Sequence, residues 1–227
     1  MMTTNRTTQE TAPSAAKTRE ALIDAALTLF GTKGFAATST REIAAAAKAN
    51  IGSIAYHFGS KEGLRDACAR HIVDTVQTVA GPILASPLPS PETGGPAADE
   101  LLRAILERMI GFLVVQPEAG RIAQFILREM SQPTPALDIV YSGVFEPVHR
   151  RLCRIWELAT GEPAESERTK LAVFTMIGQV IYFRIGREAV LRRMGWASIG
   201  SEEAARIAEV AGDNLMAALA ARKEDKP

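Results

Sequence analysis

STREIAAAAKANIGSIAYHFGSKEG, residues 39–63, reads as two short helices joined by a tight turn, then the capped start of a third. Ser39 and Glu42 stand in S-x-x-E spacing. That is a capping box: the hydroxyl serves an orphan N–H of the first turn, and the carboxylate reaches back to the cap. Ile43, Ala44 and Ala47 form one narrow apolar face. Lys48-Ala49-Asn50 is the turn, and Ile51, Ile54 and Phe58 give the second helix its apolar set. Gly59 closes that helix and Ser60 caps the next. Two helices joined by so short a turn make a helix-turn-helix, whose second helix enters the DNA major groove. The outward side of that helix offers Gly52, Ser53, Tyr56 and His57, with no carboxylate to repel phosphate.

Working outward, Thr18 caps a helix that continues to Lys33, with Leu22, Ala26, Leu29 and Phe30 as its apolar stripe. Gly34 ends it, and Phe35 folds back onto it. With Ile43, Ile54 and Phe58 this stripe completes a three-helix core. The segment from Ala21 to Leu64 resembles the N-terminal domain of the TetR family of bacterial repressors. The matching pieces are ALIDAALTLFGTKGFAATSTREIA and the YHFGSKEGL run at 56–64. The resemblance implies a homodimer that binds a near-palindromic double-stranded operator and releases it when a small organic effector enters the C-terminal domain. It also implies phosphate contacts from Tyr56 and Lys61.

The remaining DNA-contact candidates rest on side-chain chemistry together with the motif match, since a solvated arginine or a surface-packed histidine is the alternative at such positions. Arg41 lies just inside the first reading helix and can reach a base or phosphate, and Thr40 beside it can donate to phosphate. Asn50 in the turn and His57 are further polar candidates, and Gly52 and Ser53 let the backbone approach the groove floor. Three positions depart from the family pattern: Lys48 where the turn usually has glycine, Ala49 for a larger aliphatic, and Ala55 for a base-reading residue. If position 48 needs positive φ, lysine costs up to about 1 kcal/mol relative to glycine. Lys48 can offset this with a phosphate contact.

A long helix is expected from Lys61 to about Leu84, shared between two domains. The stretch 82–96 holds prolines 82, 87, 89, 91 and 96 and reads as an exposed loop. Beyond it helices are expected over 97–115, 118–130, 135–160 with a kink at Pro147, 164–193 and 201–221. No strand alternation or repeat appears. The fold class is therefore all-α. The expected division is an N-terminal arm at 1–16, a DNA-binding domain at 16–76 with its motif at 39–58, and a ligand-binding and dimerisation domain at 77–227. REMSQPTPALD at 128–138, GQVIYFR at 178–184 and VLRRMGW at 190–196 resemble the CecR-like subgroup of the family. That resemblance implies control of drug-sensitivity and transport genes.

Charge alone does not point to DNA. The 227 residues carry no net charge, and residues 1–74 hold nine Lys/Arg against seven Asp/Glu, an excess of +2. The motif carries the reading. The most apolar run, Leu171 to Phe183, is 13 residues, too short for a bilayer, so no membrane partner is expected. With no signal-peptide pattern near Met1, a cytoplasmic protein is expected. Cys68 and Cys153 have no metal spacing, and His57, His71 and His149 stand in no metal or triad motif. No catalytic residue, metal or cofactor is expected. The alternatives are a regulator that answers to a protein partner or to no ligand, and a helical carrier or enzyme with a degenerate motif; the last would show no operator binding.

In the C-terminal half, Met109, Phe125, Arg128, Trp156 and Gln179 are expected to wall an effector pocket, although apolar residues at helical spacing serve a core as readily. The 171–183 run is apolar on nearly all sides, so one face is expected to meet a partner chain. Phe174, Ile177, Gly178 and Ile181, with Ile207, Ala211 and Leu215 of the last helix, are the expected interface, built as a symmetric four-helix contact.

Overall fold

The computed structural model describes residues 11–90 and 94–224, and every regular element among them is helical. The order is α1 (Thr11–Lys33), α2 (Thr40–Ala46), α3 (Gly52–Phe58), α4 (Lys61–Leu84), α5 (Gly94–Ile110), α6 (Pro117–Ser131), α7 (Pro135–Val140), α8 (Glu146–Thr160), α9 (Glu167–Ile185), α10 (Arg187–Met194) and α11 (Ser201–Glu224). Two π-helical turns, Gly111–Val115 and Tyr141–Phe145, extend α5 and join α7 to α8. The expected arm at 1–16 is shortened: 11–16 are helical and belong to α1, while 1–10 lie outside the described residues.

The chain forms two compact units. The first ends at Val73 and takes in Gln124–Val140; the second holds Asp74–Ala123 and everything from Tyr141 on. The expected boundary near residue 76 thus has an exception, because half of α6 and all of α7 join the first unit. The reason is a close approach. A Cβ on Gly31 of α1 would lie 3.0 Å from the Gln124 Cβ, so any larger residue there would push α6 back by a few tenths of an ångström. Arg128 then donates to the Gly31 carbonyl at 3.3 Å and the Thr32 carbonyl at 3.1 Å, satisfying orphan oxygens at the end of α1. Leu22, Ile23, Ala26, Leu27, Phe30 and Ile43 are buried in the core of this unit.

The second unit is a helical bundle around Leu102, Leu106, Ile110, Leu152, Ile155 and Val173, all buried. Arg184 and Arg187 of α9 and α10 hold the end of the first π turn. Arg184 donates to the Leu113 carbonyl and, at 2.8 Å, to that of Gln116; Arg187 donates to Val114 at 3.0 Å and Ile199 at 3.2 Å. Burial, helped by Arg187, lowers the Arg184 pKa. The stretch expected as one helix over 135–160 is helical throughout, but it widens into the π turn at Tyr141–Phe145, and Pro147 follows that turn in the first turn of α8, where its missing N–H is tolerated. The helix expected over 164–193 breaks at Gly186, where an added Cβ would meet the Tyr182 carbonyl oxygen at 3.0 Å and its ring at 3.1 Å. No helix among the described residues is long and apolar enough to cross a membrane.

Lys48 has φ +51°, the one non-glycine with positive φ among the described residues. Relief of this strain is worth roughly 1–2 kcal/mol, against about 0.4–1 kcal/mol for the extra unfolded-state freedom of glycine. Lys48→Gly is therefore expected to stabilise the chain by up to about 1.5 kcal/mol in denaturant titration.

Candidate nucleic-acid interface and C-terminal faces

The reading unit is built by caps. The Ser39 hydroxyl accepts the Glu42 N–H at 3.2 Å, and a Glu42 carboxylate oxygen accepts the Ser39 N–H at 2.8 Å. Lys33 donates to the other Glu42 oxygen at 2.8 Å, tying α1 to α2. The Lys33 hydrogen bond first, and those from Ser39 next, lower the Glu42 carboxyl to about 2. The one carboxylate of α2 is thereby engaged on the side of α1. In the turn, the Asn50 side-chain oxygen accepts the Gly52 N–H at 2.8 Å and starts α3. Gly63 has no room for a side chain: a Cβ would lie 2.1 Å from the Phe58 carbonyl oxygen. The Ser60 hydroxyl accepts the Gly63 N–H at 3.0 Å. These contacts explain the spacing of the FGSKEG run, which turns the chain from α3 into α4 at a fixed angle.

On this frame Arg41, Lys48, Asn50, Gly52 and Tyr56 are exposed, while Thr40, Ser53 and His57 are half-buried. Tyr56 is 82% exposed, with the His57 ring edge-on at 4.8 Å. An aromatic held this far into solvent on a short helix has its hydroxyl free for a phosphate. The Asn50 oxygen is taken by the Gly52 N–H, which leaves its amide NH2 on the exposed side of the turn. Lys61 is engaged in the fold as well: its ammonium donates to the Phe35 carbonyl at 2.6 Å and lies 4.2 Å from the Phe35 ring centre. Arg65 lies 4.2 Å from the same ring centre. Neither Phe35 contact was legible in the sequence, because the partners are 26 and 30 positions apart and no periodicity connects them.

The five residues expected to wall a pocket fall in different places. Phe125 is buried in the first unit, and Arg128 caps α1 there. Trp156 is buried in the second unit, its indole N–H donating to Glu162 at 3.1 Å; Arg222 and Arg168 bind the same carboxylate at 3.0 and 3.1 Å. This ties α8, α9 and α11 together, so Trp156 serves the core. Met109 packs against that core as a partly buried residue. Gln179 lines an open groove of about 300 Å³ between α9 and α11, with Tyr182, Phe183, Val210, Ala211 and Asn214.

The expected interface residues also divide. Phe174 and Ile181 are exposed, as is Gly178, whose added Cβ would meet nothing within 4 Å; Ile177 is half-buried. Ile207, Ala211 and Leu215, in contrast, are buried in the core of their own chain, although Ile207 and Ala211 also form the floor of the groove between α9 and α11. The apolar spacing of α11 marks its inner face, and Val210, 62% exposed, lies on its outer one. Small residues alone do not tell the two faces apart. Leu171, Tyr182 and Ile185 complete the exposed apolar stripe of α9.

Comparison with known proteins matches two stretches of the chain. Residues 22–68 match the family model for bacterial regulatory proteins of the tetR family, and residues 98–222 that of the C-terminal domain of the HTH-type transcriptional dual regulator CecR. The CecR protein of Shigella flexneri is 38% identical over 192 residues, 82% of this chain and 83% of its own. A TetR-like transcriptional regulator from Rhodococcus sp. RHA1 shares the fold, with a TM-score of 0.62 and 21% identity over 88% of this chain and 96% of that one. AibR, solved with isovaleryl coenzyme A and operator DNA, does so with a TM-score of 0.63 and 18% identity over 86% and 96%. A capped helix-turn-helix, followed by a helical region whose residues 98–222 match the CecR C-terminal model, makes this chain a DNA-binding transcriptional regulator of the TetR family, in the group of CecR.

Proposed function

We propose that the protein is a ligand-responsive repressor that acts as a homodimer on a near-palindromic operator controlling transport or drug-sensitivity genes. The observation that carries this reading is the outward face of α3. It offers Gly52, Ser53 and a Tyr56 that is 82% exposed, without a carboxylate, on a frame locked by the Ser39–Glu42 box and the Gly63–Phe58 contact. Two such heads on one two-fold axis read half-sites about one helical turn apart or somewhat more. Selection of bound sequences from random DNA tests this and locates the regulated genes.

The homodimer is supported by α9. Val173, Met176 and Val180 fill the core on one side, while Leu171, Phe174, Tyr182 and Ile185 stay exposed on the other. The effector is a small, largely apolar organic molecule with one or two polar groups. Support for an effector comes from the family and from AibR, solved with an acyl coenzyme A. The two π turns of the second unit are the candidate region, since such turns recur at functional sites. The effector acts by preferring a conformer of the dimer unable to match both half-sites. Moving the competent fraction from 99:1 to 1:99 takes about 5.5 kcal/mol of differential binding.

Four outcomes are expected. Tyr56→Phe weakens binding to operator and unrelated DNA alike, by the ~0.5–1.5 kcal/mol of one hydrogen bond, and leaves thermal stability unchanged. Arg41→Ala lowers the slope of log affinity against log salt by about one phosphate contact; titration at several salt concentrations reads both. Gly178→Arg, whose site is open in the single chain, gives soluble monomers by sedimentation and loses operator binding; a dimeric, DNA-binding variant would sink the α9 interface. The effector, sought by titrating hydrophobic antibiotics and aromatic acids against the operator complex, is itself bound more weakly, by the same factor, when operator is present. A compound that binds tightly without this reciprocity is not the effector.

A further inference from the structure

The exposed stripe of α9 is symmetric about one residue. Leu171, Phe174, Gly178, Tyr182 and Ile185 stand at −7, −4, 0, +4 and +7 relative to Gly178. At about 100° per residue all five point within about 40° of one direction. Their exposures are nearly equal: 56% and 59% on the N-terminal side, 55% and 52% on the C-terminal side. A two-fold axis perpendicular to a helix at one residue turns each position −n onto the partner's +n, so this stripe is its own complement when two copies of α9 cross antiparallel at Gly178. Nothing lies within 4 Å of a Cβ placed there, and glycine lets the two backbones come close.

A second observation agrees with the same axis. The open groove of about 300 Å³ lies beside Tyr182, at +4, between α9 and the Val210–Asn214 stretch of α11. Its counterpart at −4 is Phe174, a projecting ring rather than a hollow. That ring is braced from behind: the His149 imidazole stacks on it at 4.0 Å between centres, and His149 Nε2 lies 3.2 Å from the Lys170 carbonyl oxygen. A braced aromatic loses little freedom on docking. Taking the homodimer as given, we propose that the partner's Phe174 seats in the α9–α11 groove of this protomer, and reciprocally, with the two-fold axis passing through Gly178. The occupant of the groove is therefore a second copy of this chain, and its register is set by one aromatic knob and one glycine.

Cysteine cross-linking tests the register. The native Cys68 and Cys153 are buried and burial raises both their pKa values, so the unmodified chain is a silent background under a mild oxidant. A residue on the axis meets its own copy, within the roughly 4.4–6.8 Å between Cα atoms that a disulfide requires. Gly178→Cys is expected to form a covalent dimer in high yield. Mixed Phe174→Cys and Tyr182→Cys chains are expected to cross-link, and each alone to give less than a tenth of that yield. Phe174→Ala, with helicity checked by circular dichroism, is expected to raise the dimer dissociation constant at least tenfold. If sedimentation finds a dimer but Gly178→Cys stays unlinked while Val210→Cys links to itself, the register is overturned and the homodimer stands. If the unmodified chain is a monomer at micromolar concentration, the homodimer reading falls and this register with it.

Discussion

Helix α9 cannot hide both of its apolar faces inside one chain. Val173, Met176 and Val180 already fill the core of the second unit, and a helix has only one side to give. Leu171, Phe174, Tyr182 and Ile185 are left in water, a contiguous apolar surface of the kind that marks an association site. Other features of the unit keep α9 in this position. Ser166 caps its start by accepting the Thr169 N–H at 3.1 Å, and the Trp156–Glu162–Arg222 network joins its entry to α8 and α11. Arg184 near its end is bound to the first π turn. The helix is fixed along its length, so its outward stripe is a defined surface.

The first unit meets a different demand: a short helix must stand at a set angle on a small core. Helices of seven residues, such as α2 and α3, are not stable on their own. Their geometry comes from caps and from close approaches that exclude side chains. Gly63 against the Phe58 carbonyl and Gly31 against Gln124 allow no added Cβ without movement. Lys48 at φ +51° shows strain accepted in the turn where glycine would relieve it. Lys61 and Arg65, both set against the Phe35 ring, add a cationic brace where α4 begins. A residue that braces the fold can still face phosphate, but its removal then costs stability as well as affinity.

Much of this was legible in the residues, for local reasons. The Ser39–Glu42 box, the glycine stops at Gly34 and Gly59 and the Ser60 cap all depend on neighbours within about one helical turn. So does the all-α class, which follows from apolar spacing. The apolar excess of α9 was visible because a run without a polar face has to be buried somewhere.

What only the tertiary structure decided involves partners far apart in sequence. Arg128 caps the end of α1 from 96 and 97 positions away, which places half of α6 with the first unit and removes Arg128 from the expected pocket. Trp156 and Phe125 proved to be core for the same reason: an apolar residue at helical spacing looks alike whether it faces a cavity or a neighbour. Ile207, Ala211 and Leu215 show it most clearly, since periodicity marks the apolar face of α11 but not what packs on it. The sequence alone determined the helix-turn-helix and the helical class, because caps and periodicity are local. Which side of each helix meets its own chain was decided by the packing of residues up to about a hundred positions apart, since burial is a property of the whole fold.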